Sequence, residues 1–125
     1  MKIIQEIIQN LGQTGRFSEI VLTDASGFPL AAYSQSGSPD AIAAVSATIQ
    51  RSAGQAGSRI GLQTMQEITL FDETGQRLVC RRFTAGDHTL FLSLRLQQSL
   101  AYRRVVSQAI RQIQAAWNTN LPGKE

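Results

Sequence analysis

Apolar residues recur along this chain with two alternating periods, and the changes of period divide it into elements. Residues 3–11 place Ile3, Ile4, Ile7, Ile8 and Leu11 three and four apart, with Gln5, Glu6, Gln9 and Asn10 between them. That is a short amphipathic helix, which Gly12 and Gly15 are expected to stop and which must dock on another surface to persist in water. SEIVLTD (18–24) and FPLAAYS (28–34) read as two strands joined by a tight turn at 25–27. Asp24 suits that turn because its carboxylate accepts nearby backbone N–H groups, and Gly27 because it tolerates positive φ. Pro29 has no N–H to give to a ladder, so the second strand lies at a sheet edge or starts there.

A second helix is signalled by Ser38 as N-cap, Pro39 at the first helical position and Asp40 in the first turn. Ile42, Val45 and Ile49 form one apolar stripe on it, while Ala43, Ala44, Ala47, Thr48 and Ala53 occupy the other sides. Arg51 is the only charge from 41 to 57, so the helix lacks a solvated face. It is expected to be buried on two sides, one against its own sheet and the other against another chain. From residue 65 the period becomes two: Ile68 and Leu70 point one way, Glu67, Thr69 and Phe71 the other. Turns at 73–75 and 85–87 flank a strand at 77–83, and in HTLFLSLRL the residues Leu90, Leu92, Leu94 and Leu96 share a face. These three strands make an antiparallel meander. A long amphipathic helix follows over about 98–118, with Tyr102, Val106, Ile110, Ile113 and Trp117 on one side and Arg103, Ser107, Arg111 and Gln114 on the other. The domain is expected to span 3–118, with 119–125 a flexible tail.

A length of 125 residues fits one domain. No apolar run approaches the ~20 residues needed to cross a bilayer, and MKIIQEIIQN is a poor signal-peptide core, so no membrane insertion and a cytoplasmic location are expected. The net charge of +3 is carried by arginine, because the only lysines are Lys2 and Lys124. An arginine-rich surface suits specific hydrogen-bonded contacts, and so small an excess does not argue for nucleic acid.

Candidate chemistry is sparse. The single cysteine, Cys80, cannot close an intrachain disulfide and reads as a buried structural thiol, although Arg81 and Arg82 beside it would favour a reactive one. The single histidine, His88, sits at a turn with no flanking catalytic motif. Asp24, Asp40, Asp72, Glu73 and Asp87 are explained by turns and helix starts, and no pair stands out as an acid/base dyad. No Cys/His cluster suggests a metal. GQTG (12–15) and GQAG (54–57) do not follow a strand and open a helix, and both lysines are terminal, which excludes a Walker-type nucleotidase. Neither a cofactor nor a catalytic residue is expected.

The segment Ile20-Val21-Leu22-Thr23-Asp24-Ala25-Ser26-Gly27-Phe28-Pro29-Leu30-Ala31 resembles the signature hairpin of the Roadblock (dynein light chain Roadblock-type) family: an apolar strand, Asp, a turn glycine, then hydrophobic-Pro-hydrophobic-Ala. The small-residue helix near Pro39, the meander and the closing helix come in the family's order, so the resemblance covers about 3–118. It implies an α/β (α+β) fold in the order α-β-β-α-β-β-β-α: a five-stranded antiparallel sheet with the central helix on one face and the terminal helices on the other. It also implies a homodimer in which central helices pack together and third strands pair edge to edge. Ala44, Ala47, Thr48 and Arg51 would then lie at the helix seam, with Arg51 in a rim salt bridge, and Met65, Glu67, Thr69 and Phe71 near the paired edge.

Members of that family bind small Ras-like GTPases, some bacterial ones accelerating GTP hydrolysis in the partner, and others are scaffolds. The implied function is a non-enzymatic homodimeric platform that regulates or scaffolds a Ras-like GTPase. Arg81, Arg82, Arg103 and Arg111, with Arg95 and Arg104, are candidates for a partner-binding patch, the alternative being that they solvate strand and helix faces. Two other functions compete: a small-molecule sensor of PAS or profilin-like type, for which 6% aromatic residues offer little to line a pocket, and a purely structural subunit.

Overall fold

Leu90, Leu92, Leu94 and Leu96 project from one face of the last strand into the main hydrophobic core, and all four are buried. The computed structural model describes residues 2–35, 39–97 and 101–119, and within them the chain runs α1 (Lys2–Gly15), β1 (Glu19–Asp24), β2 (Pro29–Ser34), α2 (Pro39–Arg59), β3 (Glu67–Phe71), β4 (Gln76–Ala85), β5 (His88–Gln97) and α3 (Arg103–Thr119). The strands form one antiparallel sheet in the order β2-β1-β5-β4-β3. Helices α1 and α3 pack side by side over the leucine face, where Ile4, Ile8, Val106 and Ile113 close the core. Each fully buried aliphatic side chain there contributes roughly 1.5–3 kcal/mol. Helix α2 covers the opposite face, so the expected element order and layering are those of the molecule.

Beneath α2 the sheet is built differently. Ala32, Val21, Ser93, Cys80 and Ile68 lie side by side across the five strands. Small side chains there let the helix come close, and the α2 residues that meet the sheet are small as well: Ala43, Ser46 and Gly57 are buried. Of the apolar stripe Ile42, Val45 and Ile49, Ile42 and Ile49 are half-buried and Val45 is exposed.

Two hairpins use the same turn chemistry. In β1–β2, Asp24 Oδ1 accepts from the N–H groups of Ser26 (2.9 Å) and Phe28 (3.0 Å), and Gly27 takes φ +90°. In β3–β4, Asp72 Oδ1 accepts from the N–H groups of Thr74 and Gln76 (both 2.9 Å) and from the Thr74 hydroxyl (2.7 Å), and Gly75 takes φ +93°. The Thr74 hydroxyl first, and then the Gln76 N–H, holds the Asp72 carboxyl below its ordinary pKa. A carboxyl lowered in the folded state stabilises its turn above the ordinary value and ceases to do so as pH falls through the lowered one. The Thr74 and Gln76 amide resonances should therefore shift in NMR spectra at a pH below the ordinary aspartate range. In Asp72→Asn that acid transition should be missing.

Element ends differ from expectation where glycines serve packing. Helix α1 continues through Gly12 because the bare backbone lies against the ring of Tyr33, where a β-carbon would overlap it. It continues through Gly15, which lies against Phe17, and ends as Arg16 turns to φ 61°. Helix α2 runs past the 54–57 glycines to Arg59 and is closed by Gly61 at φ 83°, with the Leu62 N–H donating to the Gly57 carbonyl at 2.9 Å. Within the described residues helix α3 starts at Arg103: Tyr102 precedes it, its carbonyl accepting the Val106 N–H at 3.0 Å. The expected start at 98–100, Ser38 as N-cap and the tail from 120 onward lie outside the described residues, and Thr119, expected in the tail, closes α3.

Candidate functional site

The face of α2 turned away from the sheet carries Ala44, Val45, Thr48 and Arg51, all exposed, with Val45 at 46%. The Thr48 hydroxyl donates to the Ala44 carbonyl at 3.2 Å, which satisfies it within the helix. Ala47 belongs elsewhere: it is half-buried against the β1–β2 turn, and a β-carbon added at Gly27 would come within 2.8 Å of its own. Arg51 stands on the wall of a groove of about 600 Å³ between α2, the β1–β2 turn and the 62–65 loop. Met65 is half-buried in that groove, its terminal methyl against Gly57.

Strand β3 is an outer strand, paired only with β4. Its alternation places Glu67, Thr69 and Phe71 on the α3 side and Ile68 and Leu70 on the α2 side. Glu67 accepts from the Tyr102 hydroxyl at 3.1 Å and pairs with Arg103 at 3.6 Å, and the Thr69 hydroxyl donates to it at 3.3 Å. Phe71 is 58% exposed and lies 5.3 Å from the Arg77 guanidinium, which also covers Tyr102 at 5.8 Å. On the α2 side, Ile42, Leu70 and Leu78 line an apolar groove of about 330 Å³ that Phe71 borders.

The eight residues expected at a dimer seam thus divide into three places. Ala44, Thr48 and Arg51 share the outer face of α2; Ala47 and Met65 pack within the chain; Glu67, Thr69 and Phe71 lie on β3, facing α3. Leu70 and Val45 add exposed apolar area on β3 and α2 and lie outside the eight. Leu70 had a visible signal, because its period-two partner Ile68 marks the face that α2 only partly covers.

The four candidate arginines do not form one patch. Arg81 faces α3 and donates to the Ser107 hydroxyl at 3.3 Å, whereas Arg82, next along the strand, points to the α2 side and donates to Thr89 at 3.5 Å. Arg103 is held by Glu67, and Arg111 is exposed on α3.

Among the described residues no cluster of His, Cys, Asp and Glu is placed to hold a metal ion. The His88 ring sits 5.2 Å from that of Trp117. Cys80 is buried, its thiol 3.7 Å from the Ser46 hydroxyl, and burial pushes its pKa up. A protonated, covered thiol is a poor nucleophile. Modification of Cys80 by an aromatic disulfide reagent at pH 8 should be slower in the native protein than in denaturant by on the order of a hundredfold.

The sequence matches the Roadblock/LC7 domain family over residues 3–95. The fold is similar to that of Myxococcus xanthus MglB (13% identity, TM-score 0.76, covering 93% of this chain and 95% of that one). It is similar also to a Roadblock/LC7 domain from Streptomyces avermitilis (15%, TM-score 0.73, 91% and 94%). A third likeness is to MglB in a tetrameric arrangement (19%, TM-score 0.70, 91% and 85%). No curated protein sequence is close enough to add a relative. Structural likeness at such identities shows the fold, and the sequence match over most of the chain shows the kinship: this chain belongs to the Roadblock/LC7 family.

Proposed function

We propose that this chain is a non-enzymatic platform that self-associates through α2 and β3 and regulates or scaffolds a small Ras-like GTPase. The observation that carries the first half is the outer surface of α2. Its exposed positions Ala44, Val45 and Thr48 are uncharged, and an outer strand bearing the exposed Leu70 and Phe71 lies alongside. A surface of this composition is suited to burial against a second copy rather than to water. The tetrameric arrangement of a structurally similar MglB supports self-association in this fold. The GTPase half rests on membership of the Roadblock/LC7 family.

The test combines nucleotide turnover with retention of the partner. Purified protein alone should neither bind nor hydrolyse GTP. Immobilised protein should retain a purified Ras-like GTPase of the same cell more strongly with a slowly hydrolysed GTP analogue than with GDP. Equal retention would favour a nucleotide-insensitive scaffold, and no retention of any such GTPase would overturn the GTPase half. Intrinsic GTP hydrolysis would overturn the non-enzymatic reading.

A further inference from the structure

The sheet has two outer strands, β2 and β3. On such a strand alternate residues aim both N–H and C=O away from their neighbour, a ready template for another strand. Ala32, opposite Val21 on β2, is one of these, and both of its outward groups are taken by a single side chain. Its N–H donates to Gln5 Oε1 at 3.1 Å, and its carbonyl accepts from Gln5 Nε2 at 2.8 Å. The carboxamide on α1 therefore offers β2 the donor and acceptor that a neighbouring strand would offer. Its orientation is dictated by the pair, because a backbone N–H can only donate and must meet the oxygen.

The rest of the contact holds the amide in place. Gln5 Nε2 also lies 3.2 Å from Gln9 Oε1, one turn along α1. Flanking Gln5, Ile4 and Ile8 are buried in the core, and Gly12 brings the helix down onto Tyr33 of β2. The strand needs such cover, since PLAAYS contains no charged residue to repel another edge. Pro29, which lacks an N–H at the strand start, gives the edge a further safeguard. Among the described residues no side chain bonds the outward backbone of β3 in this way.

We propose that Gln5 is a strand-mimicking latch that closes the β2 edge, and that releasing it exposes an acceptor for β2 of a second copy of this chain. Two uncharged β2 strands can pair antiparallel about a two-fold axis without like-charge repulsion. With the latch in place, sheet growth is confined to the β3 edge and edge-to-edge assembly closes at two copies. Only that last consequence rests on the self-association proposed above.

The test uses Gln5→Leu, which keeps helix propensity and bulk but removes both hydrogen-bonding groups. In the native protein the Ala32 amide should be protected from hydrogen exchange, and the sedimentation mass should reach a plateau with concentration. In Gln5→Leu, Ala32 exchange should accelerate about tenfold or more, and the mass should rise beyond that plateau. Adding Ala32→Pro removes the outward N–H without touching the ladder to β1, and should restore the plateau. Should leucine at position 5 unfold the chain, Gln5→Glu makes the same comparison, keeping the acceptor for the Ala32 N–H and losing the donor to its carbonyl. An unprotected native Ala32 amide would overturn the proposal. So would a folded latch variant whose mass matches the native protein at every concentration. A native protein that stays monomeric would instead overturn the α2–β3 seam and leave the latch comparison intact.

Discussion

Val45→Arg is expected to raise the dissociation constant for self-association by on the order of a hundredfold or more while leaving the folded chain intact. Val45 lies on the outer face of α2 at 46% exposure and has no part in the core beneath the helix. In a two-fold seam the substitution acts twice, because each copy brings its arginine to the same patch and neither finds a counter-charge. Sedimentation equilibrium should show the loss of mass, with an unchanged circular dichroism spectrum. Any fall in the unfolding midpoint should be confined to the part that depends on protein concentration. A native-like mass for this variant would remove α2 from the seam. Position 47 cannot serve for this test, since Ala47 already touches Gly27 and a larger side chain there would disturb the chain's own β1–β2 turn.

Leu92→Ala is expected to cost about 2–5 kcal/mol and to lower the unfolding midpoint by roughly 10–20 °C. Leu92 is fully buried on β5, the middle strand of the five, beneath α1 and α3. The surrounding side chains come from two helices and the sheet, so they cannot all collapse into the space left behind. Against a total stability of about 5–15 kcal/mol for a domain, such a loss is a large fraction. Thermal melts at fixed protein concentration would measure it, and a loss below about 1 kcal/mol would mean that the core relaxes far more than its packing suggests.

The leucine row of β5 and the two Asp–Gly hairpins were legible because each is a local code. A period of two over nine residues has one interpretation, and an aspartate three residues before a glycine satisfies its own turn. The seating of α2 was not legible, because it depends on the strand face below. Once Val21, Ser93 and Cys80 form that floor, close approach favours Ala43, Ser46 and Gly57 over the isoleucines. The role of Gly12 is hidden from a local reading for a similar reason. A glycine costs a helix only about 1 kcal/mol, and at Gly12 the space a β-carbon would need is filled by the Tyr33 ring. The arginines could be named but not grouped, since adjacent strand residues such as Arg81 and Arg82 emerge on opposite faces. Gln5 reads in the sequence as an ordinary polar position on a helix, and only its distance to Ala32 reveals its task.

The pairing of β1 with β5 also governs how the molecule is made. Asp24 is matched to Leu90, and Glu19 to Arg95, so the first strand finds its inner neighbour only after most of the chain exists. At about 5–20 residues per second, a ribosome needs roughly 4–15 s to travel from the end of β1 to the end of β5. Throughout that interval the early hairpin has an open inner edge, and α1 has no α3 to pack against. Until β5 is inserted between β1 and β4, that open edge is a template for pairing with another chain.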